Sequence, residues 1–194
     1  SDKIDETLTN LTQKTVNVRY AVTLELDGCT NLQYVTVPVY PTPELTSSLQ
    51  GGQICSGGHF TYQSTTAVSG AVMTWERQAN ASIAEAVTVV TPMPISETLT
   101  NTTTDPVVVK YDVTTAANGC SRTQTVEVIV GPKLELTSAD TLDRVYCSGE
   151  PIVYVATSSS SQIEYTWRRK VNHDIEPSEA SGVGATINEI LYNT

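Results

Sequence analysis

The residues best suited to chemistry in this sequence are its four cysteines, Cys29, Cys55, Cys120 and Cys147. Such thiols can form disulfides, bind a metal ion or act in redox exchange. No two of them have the C-x-x-C spacing that is typical of zinc and redox sites. The pattern therefore favours structural disulfides and an oxidising, extracellular compartment. We predict no metal site among these residues.

Two tryptophans, Trp75 and Trp167, could stack on sugar rings as aromatic platforms. Each lies in a short segment, MTWERQ or YTWRRK, that is typical of a central strand whose tryptophan fills a core. We therefore assign both tryptophans to the core. His59 and His173 have no nucleophile arranged around them as in a catalytic triad, so no catalytic residue and no enzyme activity are predicted.

These segments recur at a fixed spacing. IDETLTN at Ile4 returns as ISETLTN at Ile95, and 95 − 4 gives an offset of 91 residues. Tyr20 and Tyr111 share this offset, as do the two Gly-Cys pairs, and both tyrosines are predicted core residues. The loop after the second ELTS segment is one residue longer than the loop after the first. The CSG and Thr-Trp segments of the two copies are therefore separated by 92 residues. The spacing indicates tandem modules.

The elements of each module read as short strands. Val107, Val109, Tyr111 and Val113 alternate on one face, and the next alternating run follows an Asn-Gly turn, which predicts a hairpin. Further strands are predicted around Phe60 and Trp75, at 86–90, at Ile95 and in the ELTS segment after Pro43. About seven short strands predict an all-β fold of tandem Ig-like β-sandwich repeats of about 91 residues.

The prolines place the module boundaries, because proline cannot donate to a strand ladder. Residues 41–131 are predicted to form one complete module. Residues 1–40 hold the last strands of another, and residues 132–194 hold the first strands of a third and lack the closing hairpin. A half-sandwich leaves a strand edge and an apolar face uncovered.

The formal net charge of −10 excludes the partners that need a basic surface. Nucleic acid and anionic lipid both require clustered lysine and arginine. No apolar run approaches the ~20 residues of a membrane helix, so no direct membrane insertion is predicted. We expect any export signal to lie outside this sequence. No cofactor is predicted, although calcium between modules stays open because its oxygen ligands can be widely spaced.

The motifs resemble the PKD-like Ig-fold repeats of large surface proteins in Bacteroidota. They include Cys55-Ser56-Gly57, Met73-Thr74-Trp75, Tyr111-Asp112-Val113, Asn118-Gly119-Cys120 and Val126-Glu127-Val128. The resemblance implies an extracellular cell-surface adhesin, including those of gliding bacteria that the type IX system secretes. It also implies O-glycosylation at Thr141, within Asp140-Thr141-Leu142. Asn-x-Ser/Thr sequences at Asn10, Asn80 and Asn101 fit the N-glycosylation acceptor pattern.

Two functions follow from this organisation. The modules are either spacers in a stalk or filament that holds an adhesive tip away from the cell, or they bind a glycan or protein ligand themselves. We favour the stalk, because core and turn positions repeat while the loops differ between copies. The expected partners are neighbouring repeats of the same protein, and the surface ligand stays unknown.

Within the complete module Cys55 and Cys120 are the two cysteines, so we predict that they pair. This pairing requires the GGQI segment before Cys55 to reach the last strand as an irregular strand. The alternative is a bond from Cys55 to the Gly-Cys turn of the following module, which is not in this sequence.

The two partial modules complement one another. Either the missing hairpin follows in a longer polypeptide, or one molecule donates the strands at Tyr20 and Val35 to the Trp167 half-module of the next, growing head to tail. In the second case Cys29 is expected to meet Cys147.

Overall fold

The computed structural model describes residues 3–87 and 91–194, and all regular elements in these ranges are β-strands. In chain order the strands are β1 Val16–Leu26, β2 Cys29–Val39, β3 Gln50–Ile54, β4 Gly58–Tyr62, β5 Val72–Arg77, β6 Thr91–Pro92, β7 Ile95–Leu99, β8 Val107–Ala117, β9 Cys120–Val130, β10 Pro151–Val155, β11 Thr166–Arg169, β12 Ile175–Glu176, β13 Ala180–Val183, β14 Thr186–Ile190 and β15 Tyr192–Asn193. The all-β class predicted from the sequence is confirmed.

Strands β3 to β9 in the central part of the chain form two facing sheets, which are named here the middle sandwich. One sheet has the order β3-β9-β8-β5-β6, and the other pairs β4 with β7. The Phe60 ring stacks on the Tyr111 ring at 5.3 Å between centroids, and Trp75 meets Tyr111 edge-on at 5.6 Å. Between the sheets lies one buried apolar cluster, made of Phe60, Trp75, Ile83, Ile95, Leu99, Val109, Tyr111, Val113, Val126, Val128 and Val130.

Two hairpins of the same design give the fold its repeat. β8 and β9 are eleven residues each and pair along their whole length. The turn residues Asn118 and Gly119 both have positive φ, 51° and 79°, as the two-residue turn of a twisted hairpin requires. β1 and β2 form the same hairpin around Asp27 and Gly28, with φ of 48° and 79°.

The first strand of the middle sandwich differs from the one predicted. The ELTS segment forms only an isolated bridge between Leu45 and Thr66. The strand is instead β3, which runs parallel to β9 with a register shift between Gln50 and Gln53. Gly51 allows this close approach, because a Cβ there would lie 2.9 Å from the Phe60 ring. Of the strand predicted at 86–90, residues 88–90 lie outside the described residues.

The flanking segments contain the same kinds of strands, but their apolar faces are less buried than those of the middle sandwich. In the first segment, Val35 and Val37 are 50% and 37% exposed, whereas their repeat partners Val126 and Val128 are fully buried. In the last segment, β10 pairs with β14 in the register of β4 with β7, shifted by 92 residues. Trp167 is only half-buried there. Equivalent residues are therefore core in one place and partly open to solvent in the others.

Candidate functional site

The two ends of the middle sandwich are where neighbouring modules connect. At the upstream end the Leu45 N–H donates to Gln124 Oε1 at 2.8 Å, and Glu44 forms an ion pair with Arg122. At the downstream end the Gly131 N–H donates to the Ile54 carbonyl at 2.8 Å. The chain thus arrives beside the first residues of β9 and leaves beside its last.

Two of the four cysteines, Cys55 and Cys120, lie at these ends, and their positions correct the predicted disulfide. All four are free thiols. Cys55 follows Ile54, which pairs with Val130 at the downstream end of β9, whereas Cys120 begins β9 at the upstream end. Ten residues of strand separate the two thiols by roughly 33 Å. A disulfide needs Cα atoms within about 7 Å, so the pairing of Cys55 with Cys120 inside one module is wrong.

The physical reason is the direction of β3. The GGQI segment does reach β9 as an irregular strand, as the pairing required. Because β3 runs parallel to β9, it carries Cys55 away from the turn that holds Cys120. By the repeat, Cys29 and Cys147 occupy the places of Cys120 and Cys55. A module composed of both partial segments would therefore hold Cys29 and Cys147 at opposite ends, and their expected meeting is corrected too.

A buried ionic cluster joins three strands of the middle sandwich. Arg77 Nε of β5 lies 3.2 Å from Glu97 Oε2 of β7, and the two side chains are 1% and 13% exposed. The Tyr111 hydroxyl of β8 donates to the same oxygen at 2.8 Å. Arg77 Nη2 also donates to the Glu85 carbonyl at 2.9 Å. Breaking such a pair is costly because one charge is left buried alone, so the cluster fixes how the strands pack.

Burial and the neighbouring Glu97 carboxylate together raise the pKa of the Tyr111 hydroxyl above its ordinary value of 10.0. The phenolate would be desolvated and would face an existing negative charge. Tyr111 therefore stays protonated and keeps donating to Glu97 throughout the neutral range.

Parts of this cluster recur at the equivalent positions of the two flanking segments. In the last segment Arg169 Nε lies 3.2 Å from Glu189 Oε1, and the Arg169 guanidinium also reaches the Pro177 and Ser178 carbonyls. In the first segment the Tyr20 hydroxyl donates to Glu6. The last segment thus holds the arginine and the carboxylate, and the first holds the carboxylate and the tyrosine.

A second recurring site lies at the downstream end. Asn101 is fully buried, and its Nδ2 contacts the carbonyls of Asp105, Val130 and Gly131 at 2.7, 3.2 and 3.1 Å. Its Oδ1 accepts from the Thr103 N–H at 2.8 Å. One side chain therefore ties its own loop to the end of β9.

Asn10 repeats this arrangement in the first segment. Its Nδ2 donates to the Lys14 and Val39 carbonyls at 2.8 and 2.7 Å, and its Oδ1 accepts from the Thr12 N–H at 2.9 Å. The Asn-x-Thr sequence at Asn101 is thus a structural lock whose amide nitrogen is already engaged. Sequence reasoning missed this role, although the recurrence of Asn10 at a spacing of 91 was the signal.

The other singled-out residues lie as follows. Trp75 is 3% exposed and its Nε1–H donates to the Pro92 carbonyl at 3.1 Å. His59 Nε2 lies 3.1 Å from Ser96 Oγ across β4 and β7, a neighbour that the sequence did not indicate. Both side chains are exposed. Thr141 is exposed in a loop, with its hydroxyl donating to Asp140 Oδ1.

Within the described ranges, no three or more His, Cys, Asp or Glu side chains are grouped so as to hold a metal ion. Across residues 3–87 and 91–194, no helix has the length and apolar character needed to cross a membrane.

Comparison with curated proteins found no match. Among solved structures, the crystal structure of DIP-gamma IG1+IG2 is similar at a TM-score of 0.40 and 10% identity, covering 77% of this chain and 83% of that chain. Residues 52–133 match the family model of the PKD-like domain, so the middle sandwich is similar to a PKD-like domain and has an Ig-like fold.

Proposed function

We propose that this chain is part of a load-bearing stalk of repeated modules in a secreted cell-surface protein. One observation carries the proposal: the first and last strands of the middle sandwich, β3 and β9, lie side by side and run parallel. The chain consequently arrives at one end of the sandwich and leaves at the other. Modules of this kind linked in series form an extended rod.

The parallel pairing also suits the module to tension. Pulling on the two ends draws the start of β3 and the end of β9 in opposite directions, so their hydrogen bonds are loaded together in shear. These bonds include the Glu127 N–H to the Leu49 carbonyl at 2.9 Å and the Gly131 N–H to the Ile54 carbonyl at 2.8 Å. Asn101 holds the same end of β9 through the Val130 and Gly131 carbonyls.

The connection between modules supports the same function. Only Gly131, Pro132, Lys133 and Leu134 separate the end of β9 from Glu135, the repeat partner of Glu44. The Lys133 N–H donates to the Thr103 carbonyl at 3.1 Å, which anchors this connection to the sandwich. A short, proline-containing connection limits how far neighbouring modules can swing.

A joint of this kind favours a disulfide between modules. Cys55 lies at the downstream end, where a Cβ on Gly131 would be 3.8 Å from the Cys55 Cα. Cys120 lies two residues before Arg122 in β9, and Arg122 pairs with Glu44 at the upstream end. The Gly-Cys turn of a following module therefore points back toward Cys55. In this arrangement each joint carries one bond from a Cys55-type thiol to the next Cys120-type thiol.

PKD-like Ig domains are typically non-catalytic binding or structural modules. The resemblance to Bacteroidota surface repeats extends the proposal to a type IX-secreted adhesin that acts in gliding motility, with Thr141 as an O-glycosylation site. A calcium ion bound between neighbouring modules is part of the same proposal.

Single-molecule stretching of the chain tests the stalk function. The middle sandwich should unfold in one step that lengthens the tether by roughly 280 Å, from 91 residues of extended chain less the folded length. A glycan array probed with the same chain tests the alternative. Gradual extension without a step, together with specific glycan binding, would replace the stalk with a ligand-binding function.

A further inference from the structure

We propose that Met73 is a site of oxidation to methionine sulfoxide, at which the middle sandwich takes up oxygen from a hydroperoxide and keeps its fold. The inference concerns the modification of one side chain and does not depend on the stalk function. The residues that form the site are Met73, Ser64 and Thr115, and all three lie between β3 and β9.

The thioether of Met73 is already held by a hydrogen bond. Met73 is in β5 and is half-buried, so a molecule as small as hydrogen peroxide can reach its sulfur. The Ser64 hydroxyl donates to Met73 Sδ at 3.1 Å, although a thioether is a weak acceptor. Ser64 is itself only 2% exposed, so its bond fixes one lone pair of the sulfur.

A second hydroxyl beside this sulfur has no acceptor. Thr115 of β8 is directly opposite Met73 of β5, and opposite residues of an antiparallel pair share one face, with their Cβ atoms about 4.5–5.5 Å apart. Thr115 is fully buried, and among the described residues its Oγ1 has no hydrogen-bond partner. A buried donor without a partner destabilises the fold, so an acceptor placed within its reach is favoured.

Oxidation of the sulfur supplies that acceptor. A lone pair of Met73 Sδ forms a bond to one peroxide oxygen while the O–O bond breaks. The proton of the transferred oxygen moves to the leaving oxygen, which departs as water or an alcohol. The sulfoxide is polar, unlike the thioether. Because Ser64 occupies one lone pair of the sulfur, the new oxygen takes the other and accepts from the Thr115 hydroxyl.

The repeat gives a separate indication that these residues belong together. At the spacings of 92 and 91, the equivalent residues are Tyr165 for Met73, Ala156 for Ser64 and Leu24 for Thr115. In the last segment the sulfur and the serine hydroxyl are thus lost together. Leu24 shows that the hairpin strand accepts an apolar side chain at the place of Thr115. The hydroxyls are therefore not required by the strands themselves.

The second methionine of the chain provides a contrast. Met93 is half-buried like Met73, and it packs against the buried apolar cluster of the middle sandwich. A sulfoxide at Met93 would place a polar oxygen against apolar side chains, which disrupts core packing. Oxidation should therefore be tolerated at Met73 and damaging at Met93.

Peroxide treatment of two single-methionine variants tests the proposal. The full chain, with its thiols first blocked by iodoacetamide, carries either Met93→Leu or Met73→Leu, and Trp167→Phe so that Trp75 fluorescence reports unfolding. Hydrogen peroxide is added until peptide mass spectrometry shows one added oxygen on the remaining methionine. With Met73 oxidised, the midpoint of thermal unfolding should stay within about 4 °C of its unoxidised value. With Met93 oxidised, the midpoint should fall by about 8 °C or more.

Removal of the donors shows whether the hydroxyls cause this tolerance. Thr115→Val keeps the shape of the side chain, and it should not lower the midpoint before oxidation, because the hydroxyl that it removes has no partner. After oxidation in the Met93→Leu background, Thr115→Val should lower the midpoint by about 8 °C or more, and Ser64→Ala should lower it as well. The matched control is Thr114→Val on the opposite face of β8, which should leave the effect of oxidation unchanged.

Three results would overturn the proposal. The first is a fall in the midpoint on oxidation of Met73 that equals the fall on oxidation of Met93. The second is an effect of oxidation that is the same in Thr115→Val as in Thr114→Val. The third is a Met73 side chain that takes up no oxygen under conditions that fully oxidise Met93.

Discussion

Replacing Asn101 should destabilise the middle sandwich more than any surface polar substitution. Its amide contacts three carbonyls and accepts the Thr103 N–H, and the side chain is fully buried. Two amide hydrogens and one well-placed acceptor make about three effective hydrogen bonds, each worth about 1 kcal/mol net. Asn101→Ala should therefore lower the free energy of unfolding by about 3 kcal/mol.

The assay follows the Trp75 fluorescence during thermal unfolding, with Trp167→Phe as background so that one tryptophan reports. For a module of this size 1 kcal/mol corresponds to about 4–8 °C, so the midpoint should fall by roughly 12–24 °C. Asn80→Ala is the matched control, since the partly buried Asn80 amide donates to the Val108 carbonyl at 3.1 Å and accepts from the Ser82 N–H at 3.0 Å, but does not tie its loop to the end of β9.

A second variant separates hydrogen bonding from packing. Asn101→Asp keeps the shape of the side chain but removes the two donors and turns an oxygen toward the Val130 and Gly131 carbonyls. It should be at least as destabilising as Asn101→Ala. If Asn101→Ala shifts the midpoint no more than Asn80→Ala does, the reasoning about the downstream lock is refuted.

Three further outcomes are expected. Trp75→Ala should cost about 3–5 kcal/mol in denaturant unfolding, because it empties a large buried site; a loss under 1 kcal/mol would show that the ring is not core. Because the pKa of Tyr111 is raised above 10.0, its contribution to stability is full below pH 10 and declines above it; Tyr111→Phe should flatten this decline in melts taken between pH 9 and 11. Non-reducing peptide maps of the monomer should show free thiols at Cys55 and Cys120, and a bond between them would contradict the strand direction.

Much of the fold was accessible from the sequence because its signals are local. The alternation of Val109, Tyr111 and Val113 predicts a strand with one buried face, and Asn118-Gly119 predicts the hairpin turn. The 91-residue repeat then extends each of these inferences to the other copies. The alternation and the turn residues together are sufficient to predict an all-β sandwich.

The arrangement of residues at the ends of the sandwich could not be predicted from local sequence patterns. β3 runs parallel to β9, and Gly51 permits its close approach to Phe60. Both are contacts between segments distant in sequence, which no local pattern encodes. The Cys55 position follows from that direction, so the predicted disulfide failed with it. The sequence around Asn101 shows only a fit to the N-glycosylation pattern, because three residues carry no information about the Val130 and Gly131 carbonyls that Asn101 reaches across the fold.

The dependence of unfolding force on direction tests the load-bearing claim most directly. One attachment pulls the middle sandwich between residues 41 and 132, which loads β3 and β9 in shear. The other pulls between Cys55 and residue 132, both at the downstream end, with Cys29, Cys120 and Cys147 replaced by serine so that Cys55 is the one reactive thiol. We predict a severalfold higher unfolding force for the first attachment, because its bonds break together rather than one after another. Equal forces in the two directions would contradict a stalk module built on parallel terminal strands.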